Sequence, residues 1–356
     1  MKKAQVRRGT ETMNRNDMHI KDSGGSSMPP DFPVDIVLPW VKGDDPAHKA
    51  RLKAYITSER EDDRPDVGGE GRFSDMGEIR HCVASINRYA PFIRTIHIVT
   101  DGQDPDLEEY MRDLFPQGHI PMNIISHQDI FKGYEEFLPT FNSRAIETMI
   151  WRIPGLSEHF ILMNDDFFIT SPLTPQDFFL GEDTICYASW YSTLAAKTLW
   201  ALKPKRKGRR RISFKHSMVN ALDLLGGGRR FLYLGHTPRA LKRSFFKDFF
   251  SRREDLIVRN IRHRFRHEEQ FNSQELFYIS EARQGRCVVI PPKDKAIFIM
   301  PSKGRKHIER KIRAFGNGEG YKFGCINTLS EASVADRERV LEWLKDFETR
   351  NSPPSR

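Results

Sequence analysis

The first 170 residues alternate short apolar segments with segments of helical spacing, and this alternation constrains the fold more than any other feature. Four apolar segments predict strands, at residues 34–40, 95–100, 122–126 and 160–163. Between the first two, Ile79, Val83 and Ile86 recur on one face of a predicted helix. Strands that alternate with helices form a mostly parallel sheet with helices on both faces. We therefore predict an α/β, Rossmann-like fold.

The composition changes along the chain and suggests four segments. Residues 1–30 are polar and rich in Ser, Gly and charge, which is typical of a disordered tail. We expect residues 31–200 to form the α/β core and residues 201–335 to form a more helical part of the same catalytic unit. Residues 336–356 complete the chain as a last helix and a tail.

The composition also limits the class of protein. Hydrophobic residues make up 38% of the 356 residues, which is enough to bury a substantial core. No apolar run reaches the roughly 18 residues of a membrane-spanning helix, and the basic N-terminus lacks the apolar centre of a secretion signal. The four cysteines lie far apart, which favours neither a zinc site nor a disulfide framework. We therefore expect a cytoplasmic protein in a reducing compartment.

The net charge of +9 is concentrated in two basic blocks. The first spans residues 203–211, and the second contains Lys303, Arg305, Lys306, Arg310, Lys311 and Arg313. Such blocks attract polyanions, such as an acidic glycan or the anionic inner face of a membrane, although a solvated loop has the same composition. Neither block has interleaved aromatic residues, so we expect no specific nucleic-acid binding.

Polar residues follow the predicted strands at one edge of the sheet. Asn164, Asp165 and Asp166 come directly after the fourth strand, Trp40 to Asp45 after the first, and Asp101 after the second. Ligands of such sheets bind at the carboxyl ends of the strands. Adjacent carboxylates at a strand end can bind Mg²⁺ or Mn²⁺. The alternative is that Asn and Asp simply form a polar turn, in which both residues are common. Three distinctive loops that converge on one edge favour a site.

Four blocks of residues carry a resemblance to a known family. The first reads DIVLPWVKGDDP at residues 35–46. The second runs from RFSDMGEIR at residue 72 through LPTFNSRAIE at residue 138 to the Asn-Asp-Asp at residue 164. The third joins GHTP at residue 235 with RFRHEEQ at residue 264, and the fourth is CIN at residue 325. Together they resemble the Stealth proteins, which include bacterial capsular-polysaccharide phosphotransferases and the animal N-acetylglucosamine-1-phosphotransferase.

The resemblance implies a Rossmann-like or GT-A-like sheet that binds a nucleotide sugar within residues 31–200. It also implies transfer of a sugar-1-phosphate from a nucleotide sugar, such as a UDP-hexose or UDP-N-acetylhexosamine, to a hydroxyl of a glycan acceptor. The product is a phosphodiester in a capsular or cell-surface polysaccharide, and UMP is released. Mg²⁺ or Mn²⁺ is the implied cofactor.

The resemblance assigns catalytic roles to residues of both halves of the chain. Asp166, with Asp165 or Asn164, is expected to hold the cation, or one of the two acids is the base for the acceptor hydroxyl. His236 precedes a helix that Thr237 and Pro238 predict, so it can meet a phosphate at the helix start. The remaining catalytic and metal candidates are Arg266 as a phosphate clamp, Glu147 in substrate binding or support, and Asn327 as a metal ligand.

The candidates for the nucleotide pocket come from the earlier blocks: Trp40, Gly43, Asp45, Arg72, Asp75 and Asp101. Trp40 equally suits the core. Two residues depart from the family pattern, since Lys42 replaces an acid or amide and Thr328 replaces an Asp. Two other functions fit the same residues: a metal-dependent glycosyltransferase that makes a glycosidic bond, and a non-catalytic protein that binds polyanions.

Overall fold

The computed structural model describes residues 32–59, 76–203, 205–206, 209–210, 213–316 and 320–349. The predicted tail at residues 1–30 lies outside these ranges. The strands are β1 Val34–Pro39, β2 Ile93–Thr100, β3 Met122–Ser126, β4 His159–Leu162, β5 Phe167–Ile169, β6 Phe179–Leu180, β7 Asp183–Ser192, β8 Lys205–Arg206, β9 Arg209–Arg210, β10 Arg230–Leu234, β11 Arg239–Lys242, β12 Cys287–Ile290, β13 Ala296–Ile299 and β14 Phe323–Ile326. The helices are α1 Pro46–Glu59, α2 Glu78–Tyr89, α3 Glu108–Leu114, α4 His127–Ile130, α5 Ser143–Met149, α6 Thr193–Leu202, α7 Phe214–Leu224, α8 Arg243–Ser251, α9 Glu254–Ile261, α10 Ser273–Arg283, α11 Arg305–Gly316 and α12 Val334–Thr349.

A five-stranded sheet in the order β11-β4-β1-β2-β3 forms the centre of the structure. Strands β1 to β4 are the four that the sequence predicts, and they pair with one another in parallel. Residues of β1 alternate between two cores, with Val37 in one and Ile36 and Leu38 in the other. Because both faces of the strand are buried, the predicted α/β fold with covered sheet faces is confirmed.

Strand β11 replaces the start of a predicted helix. Thr237 and Pro238 precede a strand, and the helix α8 begins only at Arg243. Ala240 and Leu241 are fully buried opposite Ile161 and Phe160 of β4. The antiparallel strand thereby pairs the otherwise open edge of β4, which stabilises the extended conformation over the helical one. The expectation that His236 precedes a helix start is therefore wrong.

A smaller three-stranded sheet, β13-β14-β5, adjoins the carboxyl end of β4. Strand β5 begins one residue after Asp166, and β14 pairs with it antiparallel, with Cys325 opposite Phe167. This pairing brings the segment after β14 next to the segment before β5. A third sheet contains β10-β7-β12, and helices α7 and α10 pack against its core. Within the described ranges, every helix is too short or too polar to span a bilayer.

Candidate active site at the carboxyl edge of the central sheet

The strand register places the loops after β1 to β4 at one edge. Pro39 pairs with Val99, Thr100 pairs with Ser126, and Val37 pairs with Leu162. Arg239, the first residue of β11, is also opposite Leu162 and therefore lies at the same edge. The predicted convergence of strand-end loops is thus present in the structure.

Asp166 lies at the end of β4 beside two residues of the β14 strand end. Asn327 donates from Nδ2 to Asp166 Oδ2 at 3.4 Å, and the Cys325 thiol approaches the same oxygen at 3.5 Å. The backbone N–H of Ile326 donates to the Asp166 carbonyl at 2.9 Å. On the other side, the Cys82 thiol faces the Asn164 carbonyl at 3.7 Å. The structure therefore brings together Asn164, Asp166 and Asn327, which the sequence assigned to one site.

The second carboxylate oxygen of Asp166 has the character of a ligand-binding atom. Oδ1 is buried and accepts no hydrogen bond from the residues that the structure describes. Burial raises the pKa of Asp166, and the hydrogen bonds from Asn327 and Cys325 and the charge of Arg239 oppose this shift. An unsatisfied buried carboxylate oxygen is costly, and a cation would remove that cost. The oxygen donors of Asp165, Asp166 and Asn327 fit Mg²⁺ or Mn²⁺.

His236 lies in the loop between β10 and β11 and is partly exposed to solvent. The ring stacks on Phe298 with centroids 4.4 Å apart and meets Phe167 edge-on at 6.5 Å. Phe167 is the residue directly after Asp166, so the His236 ring contacts the chain segment that contains the strand-end acids. The partial burial of the ring, together with the charge of Arg239, lowers the pKa of His236 to about 4.

Arg239 is a site residue that the sequence analysis missed. Its side chain is buried, with the residue only 7% exposed, and its charge acts on both Asp166 and His236. Its Nε atom has no hydrogen-bond partner among the described residues. The available signal was an arginine directly after the GHTP block, but the helix predicted from Thr237 and Pro238 placed it in a first helical turn.

A second group of residues surrounds the start of α5. Arg266 donates from Nη2 to Ser143 Oγ at 3.2 Å, and Glu147 accepts from Gln274 Nε2 at 3.0 Å. Arg144, also missed by the sequence analysis, is buried and interacts electrostatically with both Arg266 and Glu147. Burial and the charge of Arg266 lower the pKa of Arg144 to about 9, while Glu147 opposes the shift. The positive charges of Arg144 and Arg266 repel each other. An anion bound near both guanidinium groups would offset this repulsion.

The loops after β1 and β2 are joined by Gln103. Its side chain donates to Asp45 Oδ2 at 2.9 Å and exchanges two hydrogen bonds with the backbone of Lys42. The hydrogen bonds from Gln103 and the Ala47 backbone lower the pKa of Asp45. Lys42 takes part in these hydrogen bonds only through its backbone N–H and C=O. The contact between the two loops therefore does not depend on the lysine side chain that departs from the family pattern.

Asp101 forms an ion pair with Arg51 of α1 at 2.9 Å and lies 3.8 Å from the buried His127. Burial lowers the pKa of His127 to about 4, against the charge of Asp101. Trp40 is 5% exposed and packs in the core, and Gly43 lies in the turn before α1. Arg72 and Asp75 lie outside the described residues.

Ring contacts connect the β1 loop to the second group. His48, three residues after Asp45, meets Phe141 edge-on at 5.6 Å, and Phe141 stacks on Phe265 at 5.4 Å. Phe141 lies two residues before Ser143, and Phe265 precedes Arg266. These contacts place the segments that precede α5 and Arg266 next to the first turn of α1, which directly follows the β1 loop.

One compact group of potential metal ligands lies elsewhere in the described part of the chain. It consists of His263, His267 and Glu269, whose ligand atoms lie within 4.8 Å of one another. Arg262 is already bonded to the Glu269 carboxylate and donates to His263 Nε2 at 3.3 Å. A guanidinium therefore fills the place that a cation would take, and we assign no metal to this group.

Two family models match this chain. They are Stealth protein CR2, conserved region 2, at residues 72–186 and Stealth protein CR1, conserved region 1, at residues 32–60. The chain carries both of these Stealth regions. The resemblance that the sequence predicted is therefore confirmed. The strand-end loops after β1, β2 and β4 all lie within the two Stealth regions, whereas His236, Arg239, Arg266 and Asn327 lie beyond them.

Curated relatives of this chain have related names. It is 29% identical to the capsular polysaccharide phosphotransferase LcbA of Aeromonas hydrophila, over 89% of this chain and 84% of LcbA. It is 39% identical to the exopolysaccharide phosphotransferase SCO6023 of Streptomyces coelicolor, over 42% of this chain and 24% of the relative. The chain thus matches about a quarter of one relative's length and most of the other's. The solved galactosyltransferase LgtC overlaps at a TM-score of 0.43 with 11% identity, over 88% of this chain and 95% of LgtC.

Proposed function

We propose that the protein transfers a sugar-1-phosphate from a nucleotide sugar to a hydroxyl of a glycan acceptor. The donor is a UDP-hexose or a UDP-N-acetylhexosamine, and the product is a phosphodiester of a capsular or cell-surface polysaccharide. The observation that carries this proposal is the buried carboxylate of Asp166. Among the described residues, its Oδ1 accepts no hydrogen bond, while its Oδ2 accepts one from Asn327. The positive charge of Arg239 also acts on this carboxylate. The phosphotransferase names of the relatives agree with it.

In the proposed reaction, the acceptor oxygen attacks the β-phosphorus of the nucleotide sugar. The bond between this phosphorus and the bridging oxygen breaks, UMP leaves, and the acceptor proton passes to a base. Asp165, Asp166 and Asn327 would hold a divalent cation, which supplies electrostatic stabilisation of the phosphate oxygens. In the alternative arrangement, one of the two acids is the base for the acceptor hydroxyl and the other would hold the cation with Asn327.

His236 is neutral at pH 7 because its pKa is lowered. A neutral imidazole can donate a hydrogen bond from one nitrogen and accept a proton at the other. Its stacking on Phe298 fixes the plane of the ring, so the exposed part of the ring is held in one orientation. We assign His236 to the transferring phosphate or to proton transfer at the leaving group.

The guanidinium groups of Arg266 and Arg144 provide positive charge at the second group. Their mutual repulsion in the buried setting is relieved when a phosphate or pyrophosphate binds between them. Glu147 holds this arrangement by its charge near Arg144 and its hydrogen bond to Gln274. We therefore assign Arg266 and Arg144 to phosphate binding and Glu147 to their support.

The nucleotide is assigned to the loops after β1 and β2. Gly43, Asp45 and Asp101 lie in these loops, and Gln103 fixes their relative position. Trp40 supports the loop from the core rather than by stacking, because it is buried. Arg72 and Asp75 remain candidates for the same pocket from the resemblance.

The main alternative is a metal-dependent glycosyltransferase, which attacks the anomeric carbon and releases UDP. Incubation of the full chain with a panel of UDP-sugars, Mg²⁺ or Mn²⁺, and a glycan acceptor separates the two reactions. We expect UMP by chromatography and a phosphodiester signal by phosphorus NMR. UDP with a glycosidic product would instead establish the alternative. Absence of turnover, together with salt-dependent glycan binding that survives Asp166→Asn, would establish a polyanion-binding protein.

A further inference from the structure

Helix α11 turns its large apolar side chains toward the protein. Ile308, Ile312 and Phe315 are spaced four and three residues apart and therefore share one face of the helix. This face packs in a buried cluster that includes Ile299 and Leu344, and Ile308 is completely buried. The apolar side of α11 is therefore already covered by the chain itself.

The opposite side of α11 is cationic and exposed. Lys306, Arg310 and Arg313 repeat the spacing of four and three residues, so they also share one face, and all three are exposed. We call these three residues the cationic face. Burial and the charges of Lys303 and Arg310 lower the pKa of His307, so Lys303, which precedes the helix, lies near the same ring as Arg310.

The cationic face is not neutralised by acids of its own helix. Glu309 is the only acid between residues 303 and 313. Its carboxylate is paired with Arg305 at 2.9 Å and with Arg339 at 3.4 Å. Among the residues that the structure describes, no carboxylate forms an ion pair with any member of the cationic face. Like charges that are close together repel, and a bound polyanion offsets this repulsion.

The start of α11 is attached to the segment that contains Asn327. The backbone N–H of Asn327 donates to the Ile299 carbonyl at 2.9 Å. Ser302, three residues before the helix, shares a hydrogen bond of 3.1 Å with the hydroxyl of Thr328. Because Asn327 also contacts Asp166, α11 begins near the proposed cation site. The cationic face then runs along the helix over about 10 Å.

We propose that the cationic face of α11 binds the acceptor glycan through phosphodiester groups that earlier transfers have introduced. The inference rests on the proposed function, because that reaction adds one phosphodiester, and with it one negative charge, at each transfer. Lysine and arginine bind phosphate oxygens through charge-assisted hydrogen bonds. An acceptor that carries several phosphodiesters contacts the face with its earlier units while its terminal hydroxyl lies in the active site.

The chemistry of the face favours a hydrophilic polyanion over a membrane. A helix that lies on a membrane inserts its apolar side between the headgroups, whereas the apolar side of α11 packs in the core. Within residues 299–315, every large apolar side chain is buried or half-buried. A nucleic acid carries the same phosphodiesters, but proteins that bind single strands add aromatic residues for base stacking, and the cationic face consists of Lys and Arg alone.

Glycan binding without the donor nucleotide tests the proposal with the full chain. The probes are a fluorescently labelled phosphomannan, whose sugars are joined by phosphodiesters, and a labelled neutral mannan of similar length. We expect fluorescence anisotropy to show phosphomannan binding that weakens at high salt, and little binding of the neutral mannan. The variant Lys306→Gln, Arg310→Gln, Arg313→Gln should weaken phosphomannan binding by at least about tenfold.

A matched control removes three exposed cations from other parts of the chain. It is the variant Arg112→Gln, Lys247→Gln, Arg252→Gln, which should bind phosphomannan as the parent does. Glutamine has a helix propensity close to that of lysine and arginine, so thermal unfolding of both variants should match the parent. An equal loss of binding in both variants would show a response to net charge alone and would overturn the proposal.

UMP release distinguishes a failure of this proposal from a failure of the proposed function. With a short neutral acceptor, the α11 variant should release UMP at the parent's rate. With an acceptor that carries several phosphodiesters, its KM for the acceptor should rise at least about tenfold with little change in kcat. Equal KM values in variant and parent would overturn the proposal and leave the proposed function intact. Absence of UMP release with every UDP-sugar would overturn the proposed function, and with it the acceptor role of the face.

Three binding results would also overturn the proposal. The first is equal affinity of the parent for phosphomannan and neutral mannan. The second is a loss of binding to phosphatidylglycerol vesicles by the α11 variant while its phosphomannan binding is unchanged, which would assign the face to a membrane. The third is binding of an oligothymidylate that phosphomannan does not displace and that the α11 variant loses, which would assign the face to a nucleic acid.

Discussion

Asn327 donates its side-chain amide to the carboxylate of Asp166 at 3.4 Å, although 161 residues separate them. The contact exists because β14 pairs with β5, which begins one residue after Asp166. A strand from the end of the chain thereby completes a site that begins at the end of β4. The two Stealth regions supply Asp166 but not Asn327, so the site needs residues from beyond them.

Replacement of Asp166 by Asn should reduce turnover by at least about a hundredfold, since the side chain keeps its shape but loses its charge. The measurement is the rate of UMP release from the active UDP-sugar. Because burial raises the pKa of Asp166, the neutral amide should cost little stability, and thermal unfolding should show no large decrease. The matched control is Asp113→Asn, an exposed acid on α3. Full activity of Asp166→Asn would remove this residue from the mechanism.

The protonation of His236 can be measured directly. Partial burial and the charge of Arg239 lower its pKa to about 4, so the ring should stay neutral as the pH falls from 7 to 5. Titration of the histidine ring signals by NMR, with His236→Gln to identify the signal, checks this expectation. Arg239→Gln should raise the pKa of His236, because it removes the nearby positive charge.

Arg230→Gln is the control for this titration, since it removes an arginine from the outer end of β10. It should leave the pKa of His236 unchanged. A His236 signal that titrates near 6.5 in the parent would contradict the electrostatic account of this residue. An equal response to Arg230→Gln and Arg239→Gln would show that the effect of Arg239 is not local.

The sequence predicts the central sheet well because its signals are local. Each of the strands β1 to β4 is a short apolar run, and each is followed by polar residues at its carboxyl end. In a parallel sheet these ends meet at one edge, so Asp45, Asp101 and Asp166 could be assigned to that edge before any coordinates. Their placement follows from rules that need only neighbouring residues.

Arg239 and Arg144 could not be assigned in the same way, because their burial depends on distant partners. The Thr237-Pro238 pair is a good helix start by local rules, yet Ala240 and Leu241 pair with β4, about 80 residues earlier. Tertiary pairing overrides a local preference of this size. Arg144 is buried by its neighbours around α5, and an arginine in a chain with 57 basic residues gives no signal of burial.

Gly324 should be required for the position of Asn327. It lies opposite Phe168 in the β14–β5 pair, and a Cβ atom at Gly324 would come within 2.2 Å of the Phe168 ring. Phe168 is 3% exposed, so its ring has little room to move. Gly324→Ala should therefore lower the free energy of unfolding by about 1–3 kcal/mol, measured by urea unfolding, and should also lower the rate of UMP release.

A second substitution separates this clash from a general effect on β14. Phe168→Ala alone creates a cavity, but the double variant Gly324→Ala, Phe168→Ala should be less destabilised than the sum of the two single variants. Strict additivity would contradict a contact between the two positions. Gly118→Ala is the control for a glycine whose added Cβ meets no neighbour, although its φ of 113° carries a strain of its own.

Asp35 should make stability depend on pH at the acid end. Its side chain is fully buried at the start of β1, where Arg94 donates to both carboxylate oxygens at 2.9 and 2.6 Å. Burial favours the neutral acid, but hydrogen bonds from His97, Arg94 and Ser157 outweigh it, so the pKa of Asp35 lies well below its ordinary value of 3.8. This contribution to stability is fully present above the unfolded-state pKa and is lost as the pH falls below it toward the folded-state pKa.

Asp35→Asn should therefore cost about 2 kcal/mol of unfolding free energy at pH 7, a value reduced by the exposure of the Arg94 side chain. The same variant should lose less stability than the parent when urea unfolding is repeated from pH 5 down to about pH 3, because it has no carboxylate to protonate. Asp113→Asn removes one exposed carboxylate and should follow the parent curve. If Asp35→Asn and the parent lose stability in parallel over this range, the acid sensitivity comes from other carboxylates and the Arg94 contact contributes little.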